Sequence, residues 1–432
     1  MSRQSRQVSR RGFLKGSGAV MGGLVLSTWL PRFIPDSVAA EATAAGRLGD
    51  QTPRGYGAYV RVGHDGKVTV ISPKIEMGQG AHTGIAMMLA EELEVRLADV
   101  SVEDAPPDAE LYTDSIMQFQ ATGGSTSTRH AWQPLREAGA TARLLLIQAA
   151  AQRWSVDPAQ CEAREGVVYG PGDRQAGYGE LVDLASTLPL PASITLKTPD
   201  QFRLIGTPAR RIDTPNKVNG KAKFTIDLQV PDMLVASSLA CPVYGGTLKS
   251  VDASAARQVP GVRDVVTLDN AVAVTATNYW ACQQGLKALK IEWDLGENAS
   301  ISSPELDAAL QKASSADGVV AHSSGDVAAA LEAASSRFEA VYEQAFLSHS
   351  PLEPMTCVAH VRPDGCDLWV GTQVPVFAQQ TAASITGLKP EQVVVHNQLI
   401  GGAFGRRLDY DFIAQAVAIA RQVSYPIKLI WS

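Results

Sequence analysis

Three short turns rich in glycine or hydroxyl residues, far apart along the chain, constrain this sequence more than any other feature. They are Glu76-Met77-Gly78-Gln79-Gly80, Thr122-Gly123-Gly124-Ser125-Thr126-Ser127-Thr128 and Gly401-Gly402-Ala403-Phe404-Gly405, and each leads into a stretch with helical apolar spacing. Glycine lets backbone N–H groups approach a ligand closely, and a helix N-terminus adds partial positive charge. Turns of this design suit an anionic ligand such as a diphosphate. Thr122, Ser125 and Ser127 add hydroxyls that donate without adding charge, and Gln79 adds an amide that both donates and accepts. Taken singly, each turn reads first as a helix cap with glycine at a bend. None follows the strand and Gly-x-Gly-x-x-Gly order of a dinucleotide fold, and no Walker lysine is present.

The remaining composition bounds the answer. A chain of 432 residues with 45% hydrophobic side chains has room for two to four domains with proper cores. A net charge of -6 argues against a nucleic-acid partner, which leaves a basic footprint. After residue 50 no stretch approaches the roughly 20 unbroken apolar residues of a membrane helix. The N-terminus differs. Ser9-Arg10-Arg11-Gly12-Phe13-Leu14-Lys15 precedes a Gly-rich apolar run, and small residues follow at Ala39-Ala40 and Ala42-Thr43-Ala44. Residues 1–45 resemble a twin-arginine export signal, which places the protein in the periplasm or on the outer face of the cytoplasmic membrane. The alternative is an uncleaved anchor. Proteins on this route cross folded, which suits a cofactor inserted inside the cell.

The five cysteines, Cys161, Cys241, Cys282, Cys357 and Cys366, form no C-x-x-C or four-cysteine cluster. The chain therefore carries neither a ferredoxin-type centre nor a zinc ribbon. Cys357 and Cys366 flank the turn Pro363-Asp364-Gly365, and both a disulfide and buried free thiols remain open.

Along the chain, 46–56 reads as a polar linker and 58–72 as a hairpin turning at Asp65-Gly66. A helix follows Gly80, and a long Ala-rich helix runs from about His130 to Trp154. Residues 184–220, with Leu188-Pro189-Leu190-Pro191, read as an interdomain linker. Beyond it come β-like runs at 223–226 and 262–266, helices near Ser254–Gln258 and 281–290, and a surface crossover at 294–335. Strands are expected at 340–345, 357–362, 367–370 and 393–395, helices over 376–386 and 408–423, and a terminal apolar strand at 426–431.

Together, Glu76-Met77-Gly78-Gln79-Gly80 with Thr83, residues 122–127, Gly371-Thr372-Gln373 and residues 401–407 resemble the molybdenum-binding subunits of the xanthine oxidase and aldehyde oxidase family. Their order is similar to the branch of isoquinoline 1-oxidoreductase beta subunits and exported aldehyde dehydrogenase large subunits. The resemblance runs from about residue 55 to the end. It implies an α+β chain with molybdopterin-binding segments at 55–195 and 335–432 flanking an α/β hammerhead domain at 210–295. Lys217, Gly220, Asp227, Pro242 and Pro260-Gly261-Val262 stand where the hammerhead has them.

By position, Met77, Gly78 and Gln79 resemble the residues that meet the pterin and its diphosphate. Thr122, Ser125 and Ser127 resemble the hydroxyls that hold the phosphates and nucleotide tail. Gln373 is similar to the glutamine facing an oxo group of the metal, and Gly402, Phe404 and Gly405 to the loop beneath the metal. Phe404 reads equally as a core plug. Arg406 replaces a common glycine, and Leu408 a substrate-anchoring glutamate of xanthine-oxidising members, which points away from purines. Arg406-Arg407 reads either as a phosphate contact or as a solvated pair. Glu353 invites a catalytic role, but a structural one is favoured, as for His349 and His360.

The resemblance implies hydroxylation of an electron-poor carbon with water-derived oxygen on molybdenum-loaded molybdopterin, in the cytosine dinucleotide form. It places a catalytic glutamate in a C-terminal Gly-rich loop, expected beyond Ser432 of a chain that looks cut short. The partners it implies are a small [2Fe-2S] subunit and a cytochrome c acceptor. An aldehyde oxidoreductase is the alternative, and a cofactor-free exported binding module is a third reading.

Overall fold

The computed structural model describes Gly23–Thr28 and residues 57–431. The expected linker at 46–56 and all of the expected export signal except Gly23–Thr28 lie outside the described residues. The chain divides into two compact units, one of residues 1–236 with 351–432, the other of 237–350.

In the first unit, β1 (Gly23–Thr28), β2 (Gly57–Gly63), β3 (Val68–Ser72) and β4 (Val100–Asp104) form a sheet in that order. The β2–β3 hairpin pairs Val60 with Val70 and Val62 with Val68, so all four valines face the core. Gly66 supplies the left-handed turn between them. β3 and β4 run parallel, and a parallel pair needs a crossover. Helix α1 (Ala81–Leu93) provides it.

Helix α2 (Ser127–Trp154) packs along α1, and Leu135, Leu145 and Leu146 are fully buried. The helices approach so closely that a Cβ on Gly139 would lie 2.5 Å from the Leu89 carbonyl oxygen. Gly139→Ala is therefore expected to cost about 1–3 kcal/mol by forcing the helices apart. A thermal melt within a degree of wild type would contradict this contact.

The expected linker at 184–220 is not free chain. Glu91 and Glu92 are buried at the end of α1 and reach across to it. Glu91 accepts hydrogen bonds from the amides of Arg203, Leu204 and Ile205 and from Lys197 Nζ. Glu92 accepts from the Lys197 amide and from Arg136. Buried carboxylates need such partners, so the Pro-rich composition marks a strap tied to the domain. Between α2 and the strap lie a small sheet, β5 (Glu162–Arg164), β6 (Val167–Tyr169) and β7 (Gln175–Gly177), and helix α3 (Tyr178–Ala185). The short α4 (Thr214–Val218) follows the strap. The β-like run at 223–226 is not a strand. Phe224 makes a single bridge to Leu399, and Thr225–Asp227 is a 3-10 turn.

Strand β8 (Leu234–Ala240) leads into the second unit. That unit holds β9 (Thr247–Asp252), β10 (Val262–Thr267), β11 (Ala271–Ala276), α5 (Tyr279–Ala288) and β12 (Lys290–Asp294). β10 pairs antiparallel with β11, and β9 with β12. The helix expected near Ser254 is only a 3-10 turn, Ala256–Gln258. Helices α6 (Ser303–Ser314) and α7 (Val327–Ala333) occupy the expected crossover. The strand expected at 340–345 is absent: these residues are irregular and exposed, without the neighbouring ladder that holds a strand.

Back in the first unit come β13 (Thr356–Arg362), β14 (Gly365–Val370), α8 (Pro375–Thr386), β15 (Val393–Asn397), α9 (Asp411–Ala420) and β16 (Ile427–Ile430). Their sheet runs β16, β13, β14, β15, and β16 pairs in parallel with the start of β8. The expected terminal strand is thus internal to the sheet. In the β13–β14 hairpin, Cys366 stands opposite Val361 and Cys357 opposite Val370, so no disulfide joins them. All five cysteines are free, and burial pushes the Cys366 thiol up to about 12. Mixed helices with parallel and antiparallel strands make the chain α+β, as expected.

Candidate functional site

The first turn is shaped by Glu76. Its buried carboxylate accepts from the amides of Gly78 at 2.9 Å, Gly80 at 3.0 Å and His82 at 3.1 Å. Arg211 pairs with it at 2.9 Å and also donates to the Gly78 carbonyl. Burial raises the Glu76 carboxyl, but the Gly80 and His82 amides outweigh it and hold the group below the usual range. The expected anion-binding N-terminus of α1 is therefore occupied by the protein's own carboxylate. Gly78 and Gly80 adopt left-handed backbone that a side chain would strain. Gln79 closes the turn, accepting from the Met77 amide and donating to the Ile75 carbonyl. Met77 packs on Ile75, Ile400 and Ala403.

His82, next along α1, bonds Asp104 at 2.9 Å. Burial lowers its pKa, but Asp104 and Glu76 outweigh burial and hold it above the ordinary 6.5. A raised folded pKa contributes stability that is fully present below the unfolded value and lost as pH rises through the folded one. The melting difference between wild type and His82→Gln is expected to be largest below pH ~6.5 and to shrink above it. A difference independent of pH would contradict this.

The second turn is fastened to the first. Thr122 is buried, and its hydroxyl accepts from the Ile75 amide at 2.8 Å. That hydroxyl thus joins the two turns, whereas Ser125 is exposed and Ser127 half-buried at the start of α2. Gly124 and Ser125 both adopt left-handed backbone, which is uncommon for serine and is the kind of strain that clusters at ligand sites. Beneath them lies an ion pair that the sequence did not disclose. Lys74 and Asp114 are buried and paired, and Lys74 also donates to the Ala121 carbonyl at 2.7 Å. Asp114 accepts from the Thr126 hydroxyl and from the amides of Ile116 and Met117. Burial raises its carboxyl, but Lys74 and Thr126 outweigh it and hold it at about 2.

The third and fourth segments meet this pair. The Thr122 amide donates to the Gln373 carbonyl at 2.9 Å, and Gln373 Nε2 donates back to the Thr122 carbonyl at 2.7 Å. The Gln373 amide donates to the Arg407 carbonyl at 3.1 Å, and the Ile400 amide to the Glu76 carbonyl at 3.1 Å. One hydrogen-bond web therefore draws all four segments together, including Met77, Gly78, Gln79, Thr122, Gln373, Gly402 and Gly405. Phe404 is 70% exposed with a positive φ, which excludes the core-plug reading. Arg407 is neither a phosphate contact nor a surface residue: it is fully buried. It donates to the carbonyls of Gly402, Gly371 and Glu353 and to the Glu353 carboxylate at 2.9 Å. Arg406 pairs with Asp411. Glu353 also accepts from the amides of Ile226 and Gly401, so both its oxygens are committed to structure.

The web leaves a buried acceptor that a cofactor could fill. Gln373 Oε1 is buried without a hydrogen-bond partner among the described residues. An orphaned acceptor costs about 1–3 kcal/mol, and the N–H donors of a pterin fit it. An open cleft of about 460 Å³ lies elsewhere, lined by His82, Asp104, Lys223, His396 and Asn397 among others, and by none of the expected site residues.

Two models described as molybdopterin cofactor-binding domain match the chain, at residues 36–226 and 312–432. The beta chain of isoquinoline 1-oxidoreductase from Brevundimonas diminuta is 33% identical over 99% of this chain and 59% of its own length. The chain belongs to the molybdenum hydroxylase family. Membrane-bound aldehyde dehydrogenase [pyrroloquinoline-quinone] of Gluconacetobacter polyoxogenes is 28% identical over 99% of this chain and 56% of its own length. A component of the nicotinate dehydrogenase of Pseudomonas putida is 26% identical over 86% of this chain and 31% of its own length. The chain thus spans between about a third and three fifths of the length of these relatives. All four segments of the web fall within the two molybdopterin matches.

Proposed function

We propose that this chain is the molybdenum-cofactor-binding part of an oxidoreductase that hydroxylates an N-heterocycle such as isoquinoline with water-derived oxygen. The observation that carries the reading is the hydrogen-bond web that joins the four segments, in which the buried Gln373 Oε1 lacks a partner among the described residues. When bound, molybdopterin supplies a molybdenum redox centre able to take up two electrons from the substrate. The chain's residues hold and orient it. Gln373 engages the group through its amide, Met77, Gly78 and Gln79 line the pterin side, and Ser125 and Ser127 receive the anionic tail of a cytosine dinucleotide form. Phe404, between Gly402 and Gly405, covers the exposed face and limits water. The base of the reaction is not Glu353, and we assign that step to no residue of this chain.

The five free cysteines supply no iron–sulfur ligand set, and the isoquinoline 1-oxidoreductase relative is one chain of a larger enzyme. Electrons therefore leave through a small [2Fe-2S] partner and on to a cytochrome c. The paired arginines at Arg10-Arg11 support export by the twin-arginine route to the periplasm. A second reading, oxidation of an aldehyde to a carboxylate, is favoured by the aldehyde dehydrogenase relative.

The test is elemental analysis of the intact protein purified with its partners, followed by assays with isoquinoline, quinoline and aromatic aldehydes. About one molybdenum per chain and turnover of a heterocycle support the first reading, and turnover of aldehydes alone supports the second. A folded protein without molybdenum, from a host that makes the cofactor, overturns both.

A further inference from the structure

The first turn of α2 carries a histidine that the web does not use. His130 is 8% exposed, and its Nδ1 accepts from the Ser115 amide at 3.2 Å. In a neutral imidazole whose Nδ1 accepts, the proton sits on Nε2. That Nε2 is buried and has no hydrogen-bond partner among the described residues. Ser115 takes Nδ1, which leaves Nε2 as the ring nitrogen open to a further partner.

The surroundings of His130 bear on what this donor meets. His130 lies three residues after Ser127, in the opening turn of a 28-residue helix whose dipole favours an anion. The left-handed Gly124 and Ser125 immediately precede that helix. Lys74 is close by, but its ammonium is committed to Asp114, the Ala121 carbonyl and Thr126. Burial and the Lys74 charge push the imidazole down to about 4, so the ring stays neutral. The site thus offers a hydrogen-bond donor without adding a charge.

We infer that His130 is a further cofactor contact, donating from Nε2 to an acceptor oxygen on the anionic tail held by residues 122–128. This rests on the proposed cofactor-binding function and extends the contacts beyond Ser125 and Ser127. Nothing of the kind applies to His82, whose ring is spent on Asp104.

The experiment compares wild type, His130→Phe and His130→Gln in the intact complex. Molybdenum and phosphorus per chain are followed by elemental analysis during prolonged dialysis, and thermal melts are recorded on cofactor-free protein. Hydrogen bonds to charged groups are worth about 1.5–3 kcal/mol, so His130→Phe is expected to lose cofactor roughly tenfold or more faster. His130→Gln, which retains an N–H donor, recovers part of the difference. The cofactor-free His130→Phe protein melts no lower than wild type, because an unsatisfied buried donor is removed and Ser115 lies at the surface, where its amide finds water. Equal cofactor retention in wild type and His130→Phe overturns the inference. So does equal loss in the Phe and Gln variants, or a lowered cofactor-free melt, since each marks a packing role. Wild type that never carries molybdenum instead overturns the underlying function, which keeps the two failures distinct.

Discussion

Arg407→Leu is expected to abolish most of the folded protein. The guanidinium is fully buried and ties Gly371, Gly402 and both the carbonyl and carboxylate of Glu353 into one knot. Leucine removes every one of those donors and leaves the Glu353 carboxylate buried opposite an apolar side chain. Breaking one side of a buried ion pair costs about 3–5 kcal/mol, against a total stability of about 5–15 kcal/mol for a typical domain. Soluble yield and the urea midpoint measure the effect. Combining Arg407→Leu with Glu353→Gln is expected to recover part of the loss, because the stranded charge disappears. A single variant within about 1 kcal/mol of wild type would show that the knot is dispensable.

The second large effect is expected at Lys74. Lys74→Met keeps the stem but removes the ammonium that faces Asp114, the Ala121 carbonyl and Thr126. Asp114 is then a buried carboxylate satisfied only by the Thr126 hydroxyl and two amides. The expected cost is again about 3–5 kcal/mol. The pH profile separates this pair from a packing defect. In wild type the Asp114 contribution is present above the unfolded value of about 3.9 and is lost as pH falls toward about 2. Without Lys74 the carboxyl titrates higher, so the variant loses stability earlier on acidification. Lys74→Met with Asp114→Leu, which removes both charges, is expected to regain most of the loss. Identical acid profiles for wild type and Lys74→Met would contradict the pairing.

The contrast between these residues and the glycine turns shows what a sequence discloses. The 57–72 hairpin was readable because alternating valines and an Asp-Gly turn are local signals. The turns at 76–80, 122–128 and 401–405 were readable because glycine and hydroxyl clusters before helices have a local geometric meaning. The Lys74–Asp114 pair was not, since its partners are 40 residues apart and a buried charge has no periodic mark. The same holds for Arg407, whose neighbour Arg406 made it look like half of a basic surface pair. Thr122 showed its hydroxyl but not its direction, which is inward to Ile75. Glu76 carried a weaker signal: an acidic residue just ahead of a glycine turn and a helix suits a dipole-facing cap. The Pro-rich strap at 184–220 misled, because composition reports backbone preference and not the Glu91 carboxylate that gathers its amides.

The most direct test of the account is the position of molybdenum in crystals of the intact metal-loaded protein, read from anomalous scattering at the molybdenum edge. The prediction is a single peak per chain beside the Gln373 side chain, facing the 401–405 turn. A peak on an unrelated surface, distant from Gln79, Ser125 and Phe404 alike, would contradict it.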